Sequence, residues 1–153
     1  MTDVMTDERT IDERAIIEVG MRYARSIDTR DQEKFMSCFT PDAAFGLPKL
    51  RSNLVLDQSL AFLDELFSAT QHVTTQFQVE MSGDEASMTS YYIATHVWRK
   101  QLSDPLFVMG GFYEDSLIRT PDGWRIHDRL LVNVWVTGDR DAIAAAGMAE
   151  LVQ

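Results

Sequence analysis

The second half of the chain constrains the fold most, because its hydrophobic pattern has a period of two. Long segments rich in β-branched and aromatic residues occupy residues 72–81, 86–100, 106–120 and 124–138. The short polar stretches between them, such as "SGDE" and "PDG", are typical of turns. Alternating segments joined by short turns predict a four-stranded antiparallel meander.

The first half has a helical pattern. Apolar residues recur at four-residue steps along the first helix, and Thr10 with Glu13 fits a capping box at its start. A second, short helix is expected to begin at Asp31, followed by a short strand at residues 43–46 and a third helix at residues 57–70.

This order of elements predicts one α+β domain spanning residues 1–153. Strands of this length must coil to bury one face, and the N-terminal helices would cover the concave side. The expected shape is a cone-like half-barrel with a pocket between helices and sheet. Residues 1–8 are expected to be mobile, and residues 139–153 to form a C-terminal helix or tail.

Charge and composition exclude several classes of protein. The formal net charge is −10, which argues against nucleic acid and anionic membrane surfaces as partners. No apolar run approaches the roughly 20 residues of a membrane span, and the polar, acidic N-terminus does not resemble a signal peptide. Cys38 is the only cysteine and is expected to be buried packing, so no disulfide framework is predicted. A soluble cytoplasmic protein is expected.

Asp28 interrupts the apolar face of the first helix in the stretch "YARSIDTRD". One interpretation is a helix-terminal cap, since Asp is a common capping residue. The other is a carboxylate set into the covered side of the helix, where it would need a partner. Asp31 is better placed than Asp28 to cap the second helix.

His72 opens the first long strand and is a candidate partner for Asp28. It could also be a histidine with a purely structural hydrogen bond. Strict alternation would place His72 on the face opposite the apolar set, unless the strand contains a bulge or both faces are covered there. That apolar set is Val73, Thr75, Phe77 and Val79.

The other histidines predict no metal site. His96 lies in the middle of the second long strand, and His127 alternates with charged residues that favour an outer or interface face. The three histidines lack ligand spacing on one element. No glycine-rich phosphate loop follows a strand either, so no cofactor is expected.

Two motifs resemble the SnoaL-like branch of the nuclear-transport-factor-2-like superfamily. They are "YARSIDTRDQEKFMSCFTPDAAF" and "GGFYEDSLIRTPDGWRIHDRLL", and the resemblance covers about residues 9–137. It implies a cystatin-like, cone-shaped α+β fold. The superfamily contains lyases, isomerases and non-catalytic proteins, so the fold alone does not name a reaction.

The resemblance also implies roles for single residues. In scytalone dehydratase and hexachlorocyclohexane dehydrochlorinase, an Asp at the end of the first helix orients a His that removes a proton from the substrate. Asp28 and His72 fall on these two positions. His96 matches a second active-site His of scytalone dehydratase and is a candidate acid for a leaving hydroxyl.

The chain departs from scytalone dehydratase at the groups that polarise the substrate carbonyl. Apolar Ile27 and Leu47 stand where that enzyme has tyrosines. Gly111 and Tyr113 fall near its strand serine and asparagine. Scytalone itself is therefore not expected as the substrate, and Tyr113 remains as a source of a hydroxyl.

The predicted function is a cofactor-independent lyase or isomerase acting on a small apolar, cyclic or aromatic substrate. The alternative is a non-catalytic ligand-binding or scaffold domain, such as a ring-hydroxylating dioxygenase β subunit. Apolar residues near the last strand, Val132, Val134 and Trp135, predict a homo-oligomer, dimer or trimer, through the outer face of the sheet. The expected catalytic residues are Asp28, His72 and His96, and the expected substrate-binding residues are Tyr23, Phe45, Phe112, Tyr113 and Asn133.

Overall fold

A computed structural model describes residues 2–153 and, within the first helix, the side chains from Asp7 onward. The helices are α1 (Thr2–Asp28), α2 (Gln32–Met36), α3 (Asn53–Leu66) and α4 (Arg140–Ile143), and irregular helical turns continue from Ala144 to Val152. The strands are β1 (Phe39–Gly46), β2 (Phe67–Ser82), β3 (Glu85–Trp98), β4 (Leu106–Thr120) and β5 (Gly123–Thr137). None of the helices in these described residues has the length and apolar character needed to cross a membrane.

The strands form one curved sheet in the order β1-β5-β4-β3-β2. The four long strands are antiparallel neighbours, and β1 pairs with β5 in the parallel direction. The N-terminal helices pack on one face of this sheet, and α1 contacts both β2 and β5. The predicted α+β half-barrel is therefore confirmed.

Helix α1 buries a stripe at three- and four-residue steps, consisting of Ile16, Val19, Tyr23 and Ile27. The predicted start at Thr10 is wrong, because the backbone is already helical from Thr2. Part of the segment predicted to be mobile, Met1, lies outside the described residues. Asp12 connects α1 to β4 and β5, since it accepts hydrogen bonds from Arg119 and from the indole of Trp124.

Asp31 caps helix α2, as the sequence predicts. Its carboxylate accepts a hydrogen bond from the backbone N–H of Lys34 at 2.9 Å. The capping position at this corner is therefore filled by Asp31. Asp28, the last residue of α1, is free to contact another element.

A bulge in β2 decides which of its side chains face the helices. The register shifts between Thr75 and Gln78, and Gln76 has a positive φ of 56°. Before the bulge, His72 lies on the covered face and Val73 is 51% exposed. The bulge alternative for His72 is confirmed, and the prediction that Val73 and Thr75 face inward is wrong. After the bulge the inward residues are Phe77, Val79 and Met81.

The glycine pair in β4 marks a second irregularity of the sheet. The register with β5 shifts between Gly110 and Gly111. A Cβ at Gly110 would lie 2.4 Å from the Trp135 ring, and one at Gly111 would lie 1.9 Å from the Val132 carbonyl oxygen. Only glycine permits this close approach of two strands.

Candidate active site

A cavity of about 290 Å³ lies between the helices and the inner face of the sheet. Its wall is mostly apolar, and its polar side chains are two histidines, three tyrosines, Gln58 and Ser59. The C-terminal turns close one side of it, because Met148 and Leu151 contribute to the wall. The segment predicted as a C-terminal helix or tail is thus part of the cavity.

Asp28 and His72 meet at the wall of this cavity. His72 Nδ1 lies 2.8 Å from Asp28 Oδ1, and the backbone N–H of His72 donates to Asp28 Oδ2 at 2.8 Å. The carboxylate therefore holds both the imidazole and the strand that carries it. Because an ionised carboxylate accepts only, Nδ1 carries the proton in the neutral ring and Nε2 keeps its lone pair.

Opposing effects act on the Asp28 carboxylate. Partial burial raises its pKa, but the hydrogen bonds from His72 and Thr70 outweigh this effect, and the pKa of Asp28 lies below its ordinary value. Asp28 is consequently ionised at neutral pH. An ionised carboxylate beside an imidazole favours the protonated form of that ring.

A short chain of donors fixes the orientation of Asp28. Thr70 donates to Asp28 Oδ1 at 3.0 Å, and Arg30 donates to the Thr70 hydroxyl at 2.9 Å. The guanidinium of Arg30 also donates to the carbonyl of Ile27 at the end of α1. Since Arg30 already supplies the proton in its bond with Thr70, the hydroxyl proton of Thr70 is directed at Asp28.

His96 lines the cavity next to His72, with ring centroids 5.6 Å apart. Its Nδ1 lies 3.1 Å from the carbonyl oxygen of Phe107, so Nδ1 carries the proton. Burial, followed by the charge of His72, lowers the pKa of His96 to about 3. His96 is therefore neutral at neutral pH and offers Nε2 as an acceptor, which argues against its predicted role as the acid.

Tyr23 and Tyr113 line the cavity. Behind the cavity they contact Arg129, which forms a buried ion pair with Asp115. The guanidinium carbon of Arg129 lies 4.0 Å from the Tyr23 ring centroid and 4.3 Å from that of Tyr113. Burial raises the pKa of Tyr23 to about 12, against the effects of Arg129 and of a hydrogen bond with Tyr113. The Tyr23 hydroxyl is thus partnered within the protein.

The third tyrosine of the cavity, Tyr92, was not among the residues selected from the sequence. It is 2% exposed, lines the cavity and stacks on Tyr113 with 4.5 Å between ring centroids. Its hydroxyl has no hydrogen-bond partner in the described residues. The alternation of β3 puts Tyr92 and His96 on one face, which was the available signal.

The remaining expected residues divide into two groups. Phe45 lines the cavity, as do the apolar Ile27 and Leu47. Phe112 does not, because its ring lies 6.3 Å from that of Tyr91, which is 58% exposed on the other face of the sheet. Asn133 is half-buried and also lies outside the cavity lining.

The third histidine lies outside the cavity. His127 is half exposed and lies 3.2 Å from the Thr40 hydroxyl, away from the cavity, as predicted. Among the described residues, no group of three or more His, Cys, Asp or Glu side chains is arranged to hold a metal ion.

The chain resembles proteins of known sequence and structure. A Mycobacterium tuberculosis protein, the uncharacterised Rv2910c, is 31% identical over 129 residues, which is 78% of this chain and 83% of the relative. A crystal structure of a candidate scytalone dehydratase from Novosphingobium aromaticivorans superposes with a TM-score of 0.78 at 22% identity, covering 86% of this chain and 90% of that one.

A dehydrochlorinase has the same fold. Hexachlorocyclohexane dehydrochlorinase LinA-type3 from Novosphingobium barchaimii superposes with a TM-score of 0.74 at 13% identity, covering 84% of this chain and 90% of the other. At these identities the two structures establish the fold alone. The SnoaL-like domain family matches residues 8–130, which is most of the chain. The protein belongs to the SnoaL-like domain family.

Proposed function

We propose that the protein is a small-molecule lyase or isomerase in which His72 removes a proton from carbon and Asp28 orients His72. The observation that carries this proposal is the 2.8 Å contact between Asp28 Oδ1 and His72 Nδ1. This contact occupies one ring nitrogen and leaves Nε2 as the base on a ring that lines the cavity.

Both reactions that we propose, elimination and isomerisation, begin with the same proton transfer. Nε2 of His72 takes a proton from a substrate carbon, and the C–H electron pair forms a new double bond. In an elimination, the electrons of the adjacent bond leave with halide or hydroxide. In an isomerisation, the π electrons of an adjacent carbonyl move onto its oxygen, and the resulting dienolate takes the proton back from the His72 imidazolium at another carbon. Asp28 remains ionised and stabilises the imidazolium throughout.

The neutral state of His96 restricts how water could leave. With a pKa near 3, His96 has no second proton to give at neutral pH. The proton for a leaving hydroxide would therefore come from the His72 imidazolium, so the same ring serves as base and acid. Halide loss and double-bond migration need no separate acid.

The cavity indicates the substrate class. A volume of about 290 Å³ lies at the small end of ligand pockets. A mostly apolar wall suits a molecule of one or two rings. The names of the two structural neighbours, a candidate scytalone dehydratase and a dehydrochlorinase, describe reactions compatible with this chemistry.

The test uses deuterium exchange and elimination with the intact protein. In D2O, the protein should exchange the α-protons of small cyclic ketones such as 1-tetralone, or eliminate from β-hydroxy ketones or chlorinated cyclohexanes. His72→Ala should reduce the rate about 10²- to 10⁴-fold, the usual contribution of a general base. NMR measures exchange and product formation.

His127→Ala is the matched control, because His127 lies outside the cavity and its loss leaves the dyad intact. It should keep the wild-type rate. Equal rates in His72→Ala and wild type would contradict the proposal, as would a wild-type protein inactive on all three compound classes.

A second candidate function is a non-catalytic scaffold, and the outer face of the sheet favours it. Tyr91, Ile93 and Trp135 are between 42% and 58% exposed there. Broad apolar faces of this kind are usually covered by a partner. We propose a homo-oligomer, dimer or trimer, through this face. Light scattering that returns the 17.4 kDa monomer at micromolar concentration would contradict it.

A further inference from the structure

The hydroxyl of Tyr92 is a buried polar group without a partner among the side chains and backbone that the structure describes. The side chain is 2% exposed, and no donor or acceptor of the described residues reaches its oxygen. Buried hydroxyls in folded proteins are nearly always hydrogen-bonded, so an unpaired one requires an explanation. Because Tyr92 lines the cavity, a molecule bound there is the available partner.

The other tyrosines of the cavity are already committed. The Tyr23 hydroxyl is hydrogen-bonded to Tyr113 and interacts with Arg129. Tyr113 is fully enclosed and carries Arg129 over its ring. Of the three tyrosines in the wall, Tyr92 is the one whose hydroxyl is left without a partner among the described residues.

The sheet register places Tyr92 close to the proposed base. His72 on β2 pairs with Ala94 on β3, and Tyr92 is two residues from Ala94 on the same face. Such diagonal neighbours have Cα atoms about 7–8 Å apart. Ala94, which lies opposite His72, has a small side chain and also lines the cavity. A substrate group bonded to Tyr92 can thus have an adjacent carbon beside His72.

We infer that Tyr92 donates a hydrogen bond to a carbonyl oxygen of the substrate, and that the substrates are small cyclic ketones. This inference rests on the proposed function, which it makes more specific. When His72 removes a proton from the carbon next to the carbonyl, negative charge develops on that oxygen. A fixed donor stabilises this charge. Burial raises the pKa of Tyr92 above its ordinary value, so the hydroxyl keeps its proton.

The experiment compares ketones with hydrocarbons of the same shape. Binding of 1-tetralone and tetralin, and of 1-indanone and indane, is measured by calorimetry or ligand-observed NMR. Wild type should bind each ketone about tenfold more tightly than its hydrocarbon, the effect of one well-placed hydrogen bond. Tyr92→Phe should lose this preference and bind the hydrocarbons unchanged.

One further variant makes the result specific. Tyr91→Phe removes a hydroxyl from the outer face of the same strand and should keep the ketone preference. A wild type that prefers ketones, loses this preference in Tyr92→Phe and exchanges no α-proton in D2O would overturn the proposed function and support the role of Tyr92 in binding.

Two measurements, of the carbonyl stretch and of the unfolding temperature, distinguish a ligand-binding role of Tyr92 from a structural one. The carbonyl stretch of bound 1-tetralone should shift to lower frequency in wild type and return in Tyr92→Phe. The empty Tyr92→Phe protein should unfold at the same temperature as wild type or higher, since it lacks an unpaired buried hydroxyl. A wild type without ketone preference in either pair, or a Tyr92→Phe variant that retains it, would overturn the inference.

Discussion

Two carboxylates, Asp115 and Asp28, each pair with a basic side chain of the sheet, and the two pairs differ in what surrounds them. Asp115 and Arg129 face each other across β4 and β5, with two contacts of 2.7 and 2.6 Å and both side chains fully buried. Asp28 and His72 join α1 to β2 at 2.8 Å, and the Asp28 side chain is 23% exposed beside the cavity.

The difference separates a pair enclosed in the protein interior from a pair at the cavity wall, for which we propose a catalytic role. Arg129 is permanently charged, and two aromatic rings enclose it, so a ligand in the cavity does not reach this pair. The ring of His72 lines the cavity, and its contact with Asp28 involves only one of its two nitrogens. A short contact of the same kind therefore lies in the closed interior in one place and, in the other, beside the cavity, where we propose that it orients a base.

The largest expected effect is on protein stability, when the buried Asp115–Arg129 pair is broken. Asp115→Asn removes the charge that balances Arg129 in a fully buried site, so the free energy of unfolding should fall by about 3–5 kcal/mol. Urea denaturation measures this change. Asp128→Asn is the control, because its bond to Arg51 is partly exposed and such pairs contribute about 0–1 kcal/mol. A loss at Asp115 no larger than at Asp128 would contradict this prediction.

The second expected effect is on the rate of proton removal, when the Asp28–His72 pair is changed. Asp28→Asn keeps the shape of the side chain but removes the charge that stabilises the imidazolium, so proton removal should slow about 10²-fold, or about 2.7 kcal/mol in the barrier. The exchange assay measures it. The comparison between the two pairs fails if Asp28→Asn keeps the wild-type rate, or if it destabilises the fold as much as Asp115→Asn.

The smallest expected effect is on the unfolding free energy at acid pH. The pKa of Asp28 is lower in the folded protein than its ordinary value of 3.8. Its stabilising contribution is therefore complete above pH 3.8 and is lost as the pH falls through the folded pKa. Wild type and Asp28→Asn should converge in unfolding free energy as the pH is lowered below that value. Curves that stay parallel down to pH 2 would show that Asp28 makes no pH-dependent contribution.

Local patterns predicted much of the fold and of this site. Period-two segments gave the four long strands, and the better capping position of Asp31 left Asp28 free. The start of α1 was misplaced because the capping box at Thr10 fits a helix start, while the contacts of Asp12 with Arg119 and Trp124 are distant in sequence. Local signals carry no information about such contacts.

Two features could be assigned only from the structure. They are the orientation of His72 and the identity of the cavity tyrosine whose hydroxyl lacks a partner in the described residues. A positive φ at Gln76 reverses the alternation of β2, and glutamine carries no clear preference for that conformation. Tyr113 and Tyr92 both alternate inward, so sequence alone could not separate the enclosed hydroxyl from the unpaired one. That distinction depends on Arg129, which reaches Tyr113 from β5.

The bulge at Gln76 also divides β2 into two segments that can evolve separately. The segment before it presents His72 to the cavity, and the segment after it presents Phe77, whose ring fits against Gly20 of α1. Because the extra residue resets the alternation, each segment can change which side chains it presents without imposing that change on the other. Substrate preference can then diverge among relatives while the packing of the first helix stays fixed.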